Sequence, residues 1–146
     1  MKRKEFLSTC GSVCLGLTGI PILLQSCIGT KFLDGTLTES YLEIPLSAFE
    51  IIKKEEKRFR KYVVVQHSKL QYPISVYRFS SSEYQALWMR CTHQGTELRA
   101  YNNRLQCPAH GSEFTQRGEV QDGPADASLR TFPVIIETNT LKIHLA

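Results

Sequence analysis

Four side chains in this 146-residue chain have the types and spacing to hold a metal. They are Cys91 and His93 in Cys91-Thr92-His93-Gln94-Gly95, and Cys107 and His110 in Cys107-Pro108-Ala109-His110-Gly111-Ser112, with thirteen residues between His93 and Cys107. Each segment offers one thiolate, which suits iron–sulfur chemistry and zinc, and one imidazole, which suits zinc, copper and iron. A structural zinc finger pairs its donors like with like, two cysteines and then two histidines. Two mixed pairs depart from that arrangement. A binuclear iron–sulfide centre has two kinds of corner, one iron on two cysteines and the other on two histidines. Two parallel loops, each giving one ligand to each iron, would clamp such a centre at a domain tip. A zinc-stabilised binding module is the competing reading. Gly95 and Gly111 stand where backbone must pass close to a ligand, which glycine does without a Cβ clash.

The pattern C-T-H-x-G … C-P-x-H-G-S resembles the Rieske [2Fe–2S] domain, and the resemblance runs from about Tyr41 to Ala146. It implies a [2Fe–2S] cluster with Cys91 and Cys107 on the inner iron and His93 and His110 on the outer, solvent-facing iron. Asp122-Gly123-Pro124-Ala125 resembles the family's third, proline-containing loop, so Pro124 is expected to help cover the cluster. Ser112 can donate a hydrogen bond to cluster sulfur. In subunits of cytochrome bc-type complexes two further cysteines brace the loops with a disulfide, and a tyrosine follows the serine by two places. Here those places hold Thr96, Ala109 and Phe114. Hydrogen bonds to cluster sulfur favour the more negative, reduced state. The missing phenol therefore implies a potential in the middle of the Rieske range, roughly −150 to +300 mV.

The body that must position these loops reads as short strands between turn signals. The expected strands are 41–46, 61–66, 74–79, 84–89, 104–107, 130–137 and 140–145, the last two forming a hairpin through Asn139. Val63-Val64-Val65 and Val134-Ile135-Ile136 suit pleated, buried positions. Beyond the leader, only residues 46–52 hint briefly at a helical period. The expected fold class is all-β, a small antiparallel sandwich or barrel of Rieske type with a two-loop cluster-binding subdomain. Lys53–Lys61 (KKEEKRFRK) reads as a solvated loop, with a docking surface for an acidic redox partner or anionic headgroups as the alternative. His67, His144 and Trp88 read as ordinary packed or surface residues.

The N-terminus reads as an address and an anchor. Basic residues 2–4 precede a mostly apolar run to Leu24, the plan of a secretory signal. Arg3-Lys4-Glu5-Phe6-Leu7 resembles the twin-arginine export motif with lysine in the second place. That route suits a protein that must cross a membrane already folded around a cluster. Leu24-Gln25-Ser26-Cys27 resembles a bacterial lipobox, making Cys27 the expected lipidation site; an uncleaved membrane anchor is the alternative. The expected organisation is a signal peptide over 1–26, a tether over 27–40 and one domain over 41–146. The expected location is extracytoplasmic, on the periplasmic side and held to the membrane.

A formal net charge of +4, half of it in the first five residues, is too little and too dispersed for a nucleic-acid binder. No second cofactor motif or substrate domain fits this length. The chain therefore reads as an electron-transfer protein or oxidoreductase subunit, not a self-contained enzyme. It would pass single electrons, optionally with a proton on a cluster imidazole, to or from a membrane-associated redox partner. The alternative is the iron–sulfur subunit of a quinol-oxidising cytochrome bc-type complex.

Overall fold

The computed structural model describes residues 29–146; the expected signal peptide and Cys27 lie outside the described residues. Its strands are β1 (Phe32–Asp34), β2 (Thr36–Leu37), β3 (Tyr41–Pro45), β4 (Glu50–Lys53), β5 (Glu56–Phe59), β6 (Tyr62–Gln66), β7 (Ile74–Arg78) and β8 (Tyr84–Trp88). There follow β9 (Arg99–Ala100), β10 (Arg104–Gln106), β11 (Glu113–Thr115), β12 (Val120–Asp122), β13 (Thr131–Phe132), β14 (Val134–Glu137) and β15 (Thr140–His144). They form sheets ordered β1-β6-β7-β8-β13, β12-β11-β10-β9 and β14-β15-β3-β2, with β4-β5 a separate hairpin. Pairing is antiparallel except between β1 and β6, which run parallel.

The five-stranded sheet is the centre, because its strands are apolar on both faces. On one face Val63, Val65, Ile74, Val76 and Ala86 pack with Leu42, Ile44, Leu141 and Ile143 of the β3–β15 pair. On the other, Val64, Tyr77 and Leu87 pack with Leu105, Phe114, Cys91 and Cys107. The three consecutive valines are thus divided by strand alternation between two cores, and the second core is the floor of the candidate site.

Four expectations are corrected. Residues 32–37 were expected within a tether, yet they form β1 and β2, because Leu33 and Leu37 pack against the first core. Residues 53–61 were expected as a loop. Residues 53–59 of that stretch belong to the β4–β5 hairpin, which reverses through Lys54 and Glu55 at φ 46° and 65°. The hint of helix at 46–52 resolves into one 3-10 turn, Leu46–Phe49, running into β4. The single strand expected over 130–137 is divided at Pro133, which lacks an N–H for the ladder, into β13 and β14 of different sheets.

Tyr77 joins the central sheet to the site-bearing sheet. Its hydroxyl donates to the carbonyls of Tyr101 and Arg104, both at 2.9 Å, and holds the turn between β9 and β10. Burial, then the neighbouring Tyr62 phenol, holds the Tyr77 phenol above its ordinary value, against a smaller opposing contribution from Ser75. Tyr77→Phe leaves two carbonyls without this donor, and should lower unfolding free energy by about 1–3 kcal/mol. The folded pKa is raised, so Tyr77's contribution is complete below the ordinary tyrosine value near 10 and is lost as pH rises past it. Urea unfolding on either side of that pH should show a smaller alkaline loss in Tyr77→Phe; equal midpoints at neutral pH would refute the tie.

Candidate metal centre

The two sequence motifs form one backbone turn made twice. In the first, the Cys91 N–H donates to the Thr96 carbonyl at 2.9 Å and the Gly95 N–H donates to the Cys91 carbonyl at 2.8 Å. In the second, the Cys107 N–H donates to Ser112 at 2.8 Å and the Gly111 N–H donates to Cys107 at 3.0 Å. The glycine four places after each cysteine has a left-handed backbone, φ +74° at Gly95 and +80° at Gly111. A side chain there costs roughly 1–2 kcal/mol. At Gly95 an added Cβ would also lie 3.3 Å from the Arg90 guanidinium.

These turns sort the four donors by type. Cys91 and Cys107 are each 1% exposed, side by side in the second core. His93 and His110 are exposed, with ring centroids 5.0 Å apart at 88°. Among the described residues no three Cys, His, Asp or Glu side chains converge on the position of a single ion. Paired by type, thiol with thiol and imidazole with imidazole, the donors suit a centre with two unlike corners.

At Cys107 the surroundings shift the thiol toward its thiolate. Burial pushes the Cys107 thiol up, but the backbone N–H groups of His110 and Ala109 and the side chains of Cys91 and Thr96 together outweigh it. The net direction is below the ordinary thiol value.

The third loop is tied to both ligand loops. The Ala125 N–H donates to Ser112 Oγ at 3.0 Å, and Thr92 Oγ1 donates to the Ala127 carbonyl at 2.6 Å. Ser112 is fully buried, and accepting from Ala125 leaves its hydroxyl hydrogen available to a group between the loops. Pro124 is exposed immediately before Ala125. Phe114 is buried below the loops in the same core as the cysteines. Buried sulfurs, backbone donors and a spare hydroxyl fit an anionic, sulfur-rich group.

Two contributors had no sequence signal pointing to this site. Tyr72, just before β7, donates to the Gly95 carbonyl at 2.6 Å and packs edge-on against Trp88, ring centroids 5.3 Å apart. Arg90 lies against Gly95 and over the Trp88 ring, 5.6 Å from its centroid. Thr92 lies inside the motif, but its partner Ala127 is 35 residues away. Elsewhere, His67 accepts a hydrogen bond from the Lys69 N–H and His144 packs against Tyr41.

Comparison with known proteins agrees with this geometry. The family described as Rieske [2Fe-2S] domain matches residues 48–133. The cyanobacterial plasma membrane Rieske protein PetC3 from Synechocystis PCC 6803 is similar at 28% identity and a TM-score of 0.50, over 57% of this chain and 85% of that one. The apo form of a quaternary ammonium Rieske monooxygenase, CntA, shares the fold at 17% identity and a TM-score of 0.56, over 73% of this chain and 33% of that one. No curated protein sequence matches.

The loop ties generate a graded expectation. Tyr72→Phe removes one short hydrogen bond and should cost about 1 kcal/mol, whereas Gly111→Ala should cost about 1–2 kcal/mol through backbone strain alone. Both should release bound iron faster than the unsubstituted chain in a chelator-challenge assay read by visible absorbance. Unchanged release in Gly111→Ala would show that the left-handed turn is not needed.

Proposed function

The chain belongs to the Rieske [2Fe–2S] domain family, and from that premise we propose that it is a one-electron carrier whose cluster is held by Cys91, Cys107, His93 and His110. The observation that carries this reading is the sorting of donors by the repeated turn, two thiols buried and two imidazoles exposed at one end. When bound, the cluster supplies a one-electron couple. Cys91 and Cys107 would hold the inner iron in the second core. His93 and His110 would hold the outer iron and present the exit for the electron. Each imidazole keeps one ring nitrogen in solvent, where it can hold or release a proton as the charge beside it changes.

The partner we infer is a membrane-associated redox protein. The leader reads as an export signal ending at a lipidated Cys27, which would tether the domain on the extracytoplasmic side. The plasma-membrane description of the cyanobacterial neighbour supports the same setting. The exposed imidazoles would equally serve a subunit of a quinol-oxidising complex, where one of them accepts a hydrogen bond from the quinol. Stable co-purification with a cytochrome b would favour that second reading.

Protein made in a cluster-assembling host should contain two irons and two acid-labile sulfides per chain. Its reduced form should give an EPR signal averaging below the free-electron value. Cys91→Ser, His93→Ala, Cys107→Ser and His110→Ala should each abolish that signal, and zinc-loaded, colourless protein would refute the proposal. Redox titration at neutral pH should place the midpoint well inside the range of roughly −150 to +300 mV. Phe114→Tyr should raise the midpoint if the added hydroxyl reaches cluster sulfur; a lower or unchanged value would refute the argument from the missing phenol.

A further inference from the structure

The β4–β5 hairpin projects from the fold at the end remote from the ligand loops. The groove beside it, about 800 Å³, is bordered by Phe59, Arg60 and Tyr62 and by the 101–102 turn. That turn lies at the opposite end of β9 and β10 from Cys91 and Cys107. The hairpin presents large apolar side chains to solvent: Ile52 is 79% exposed, and Phe59, on the same face, is 44% exposed with the Arg78 guanidinium 4.1 Å from its ring centroid.

Charge surrounds these two side chains. Residues 50–61 hold six basic and three acidic side chains. Glu50 pairs with Lys57 at 2.7 Å and Glu56 with Arg58 at 2.8 Å, while Glu55 sits at the tip. Among the described residues, Lys53, Lys54 and Lys61 have no carboxylate within salt-bridge reach. Arg60 points into the groove with Nε buried and without a hydrogen-bond partner, and its Nη1 reaches the Gly29 carbonyl at 3.5 Å. Gly29 is the first described residue and itself lines the groove.

We propose that this hairpin is a membrane-docking surface: Ile52 and Phe59 enter the interfacial layer of an anionic bilayer while the unpaired Lys53 and Lys54 meet its phosphates. Exposed apolar side chains flanked by lysine stems that can snorkel suit that layer. An acidic redox protein seated here would lie at the wrong end of the domain, away from the exposed imidazoles. The inference rests in part on the reading of Cys27 as a lipid anchor, which would hold this face near the headgroups.

The test uses the cluster-loaded full chain, extracted in detergent and reconstituted into vesicles of brominated phosphatidylcholine, with or without phosphatidylglycerol. Ile52→Trp should be quenched by the acyl-chain bromines at least twofold more with phosphatidylglycerol than without. Ile135→Trp, on an edge strand of another sheet, should be unquenched in both. Lys53→Gln and Lys54→Gln should each weaken the anionic preference about fivefold. If Ile52→Trp is quenched no more than Ile135→Trp in phosphatidylglycerol vesicles, the proposal is overturned, and the hairpin is solvated or covered by a protein. Flotation with phosphatidylcholine vesicles reads the anchor separately. A chain that does not float there, yet shows quenching with phosphatidylglycerol, keeps the docking face and loses the anchor.

Discussion

Two sulfurs must lie side by side out of water while two imidazoles stay in it, and the repeated turn with a left-handed glycine makes both possible. A buried thiolate is costly unless N–H groups are aimed at it. The second turn aims the Ala109 and His110 N–H groups at Cys107. Reversing the chain within four residues of a buried cysteine requires a left-handed backbone at Gly95 and again at Gly111. The histidine stands two places after the first cysteine and three after the second, so equal backbones carry unequal side-chain positions. That inequality lets two related loops face each other and still place both rings on the solvent side.

The rest of the fold keeps those turns in register. The sheet β12-β11-β10-β9 is built of strands only two or three residues long, too short to be stable alone. It rests on the central sheet through Leu105, Phe114 and Leu87, and is fastened by Tyr77 at one end. At the other end, Tyr72, Thr92 and Ser112 fasten the loops to the central sheet and to the third loop. The left-handed glycines fix the shape of each loop. These long-range hydrogen bonds fix where the loops sit.

The candidate ligands could be picked out in the sequence because their pattern is local: each of them and both glycines lie within six residues of a cysteine. The β-rich class and the longer strands were legible too, since apolar, β-branched runs mark them. What escaped was non-local or contrary to propensity. The tie from Tyr72 to Gly95 spans 23 residues and leaves no spacing to read. β5 is Glu-Lys-Arg-Phe, exposed at all four positions, and its turn places lysine and glutamate at positive φ where asparagine and glycine are usual. Charge density there resembled a loop because no burial pattern distinguishes a hairpin with two wet faces. β1 and β2 were hidden for a simpler reason: strands of three and two residues cannot display an alternation.

The same geometry divides labour along the long axis of β9 and β10. The ligand loops close one end, and the turn at residues 101–103 closes the other. The first described residues reach the groove beside that turn before β1 joins β6 in parallel, so the chain enters at the end away from the imidazoles. The end with His93 and His110 is thus the far end of the domain from the first described residues. Because β1 is hydrogen-bonded into the central sheet, the chain is held in the fold from Phe32 onward, and the end at which it enters is fixed relative to the ligand loops.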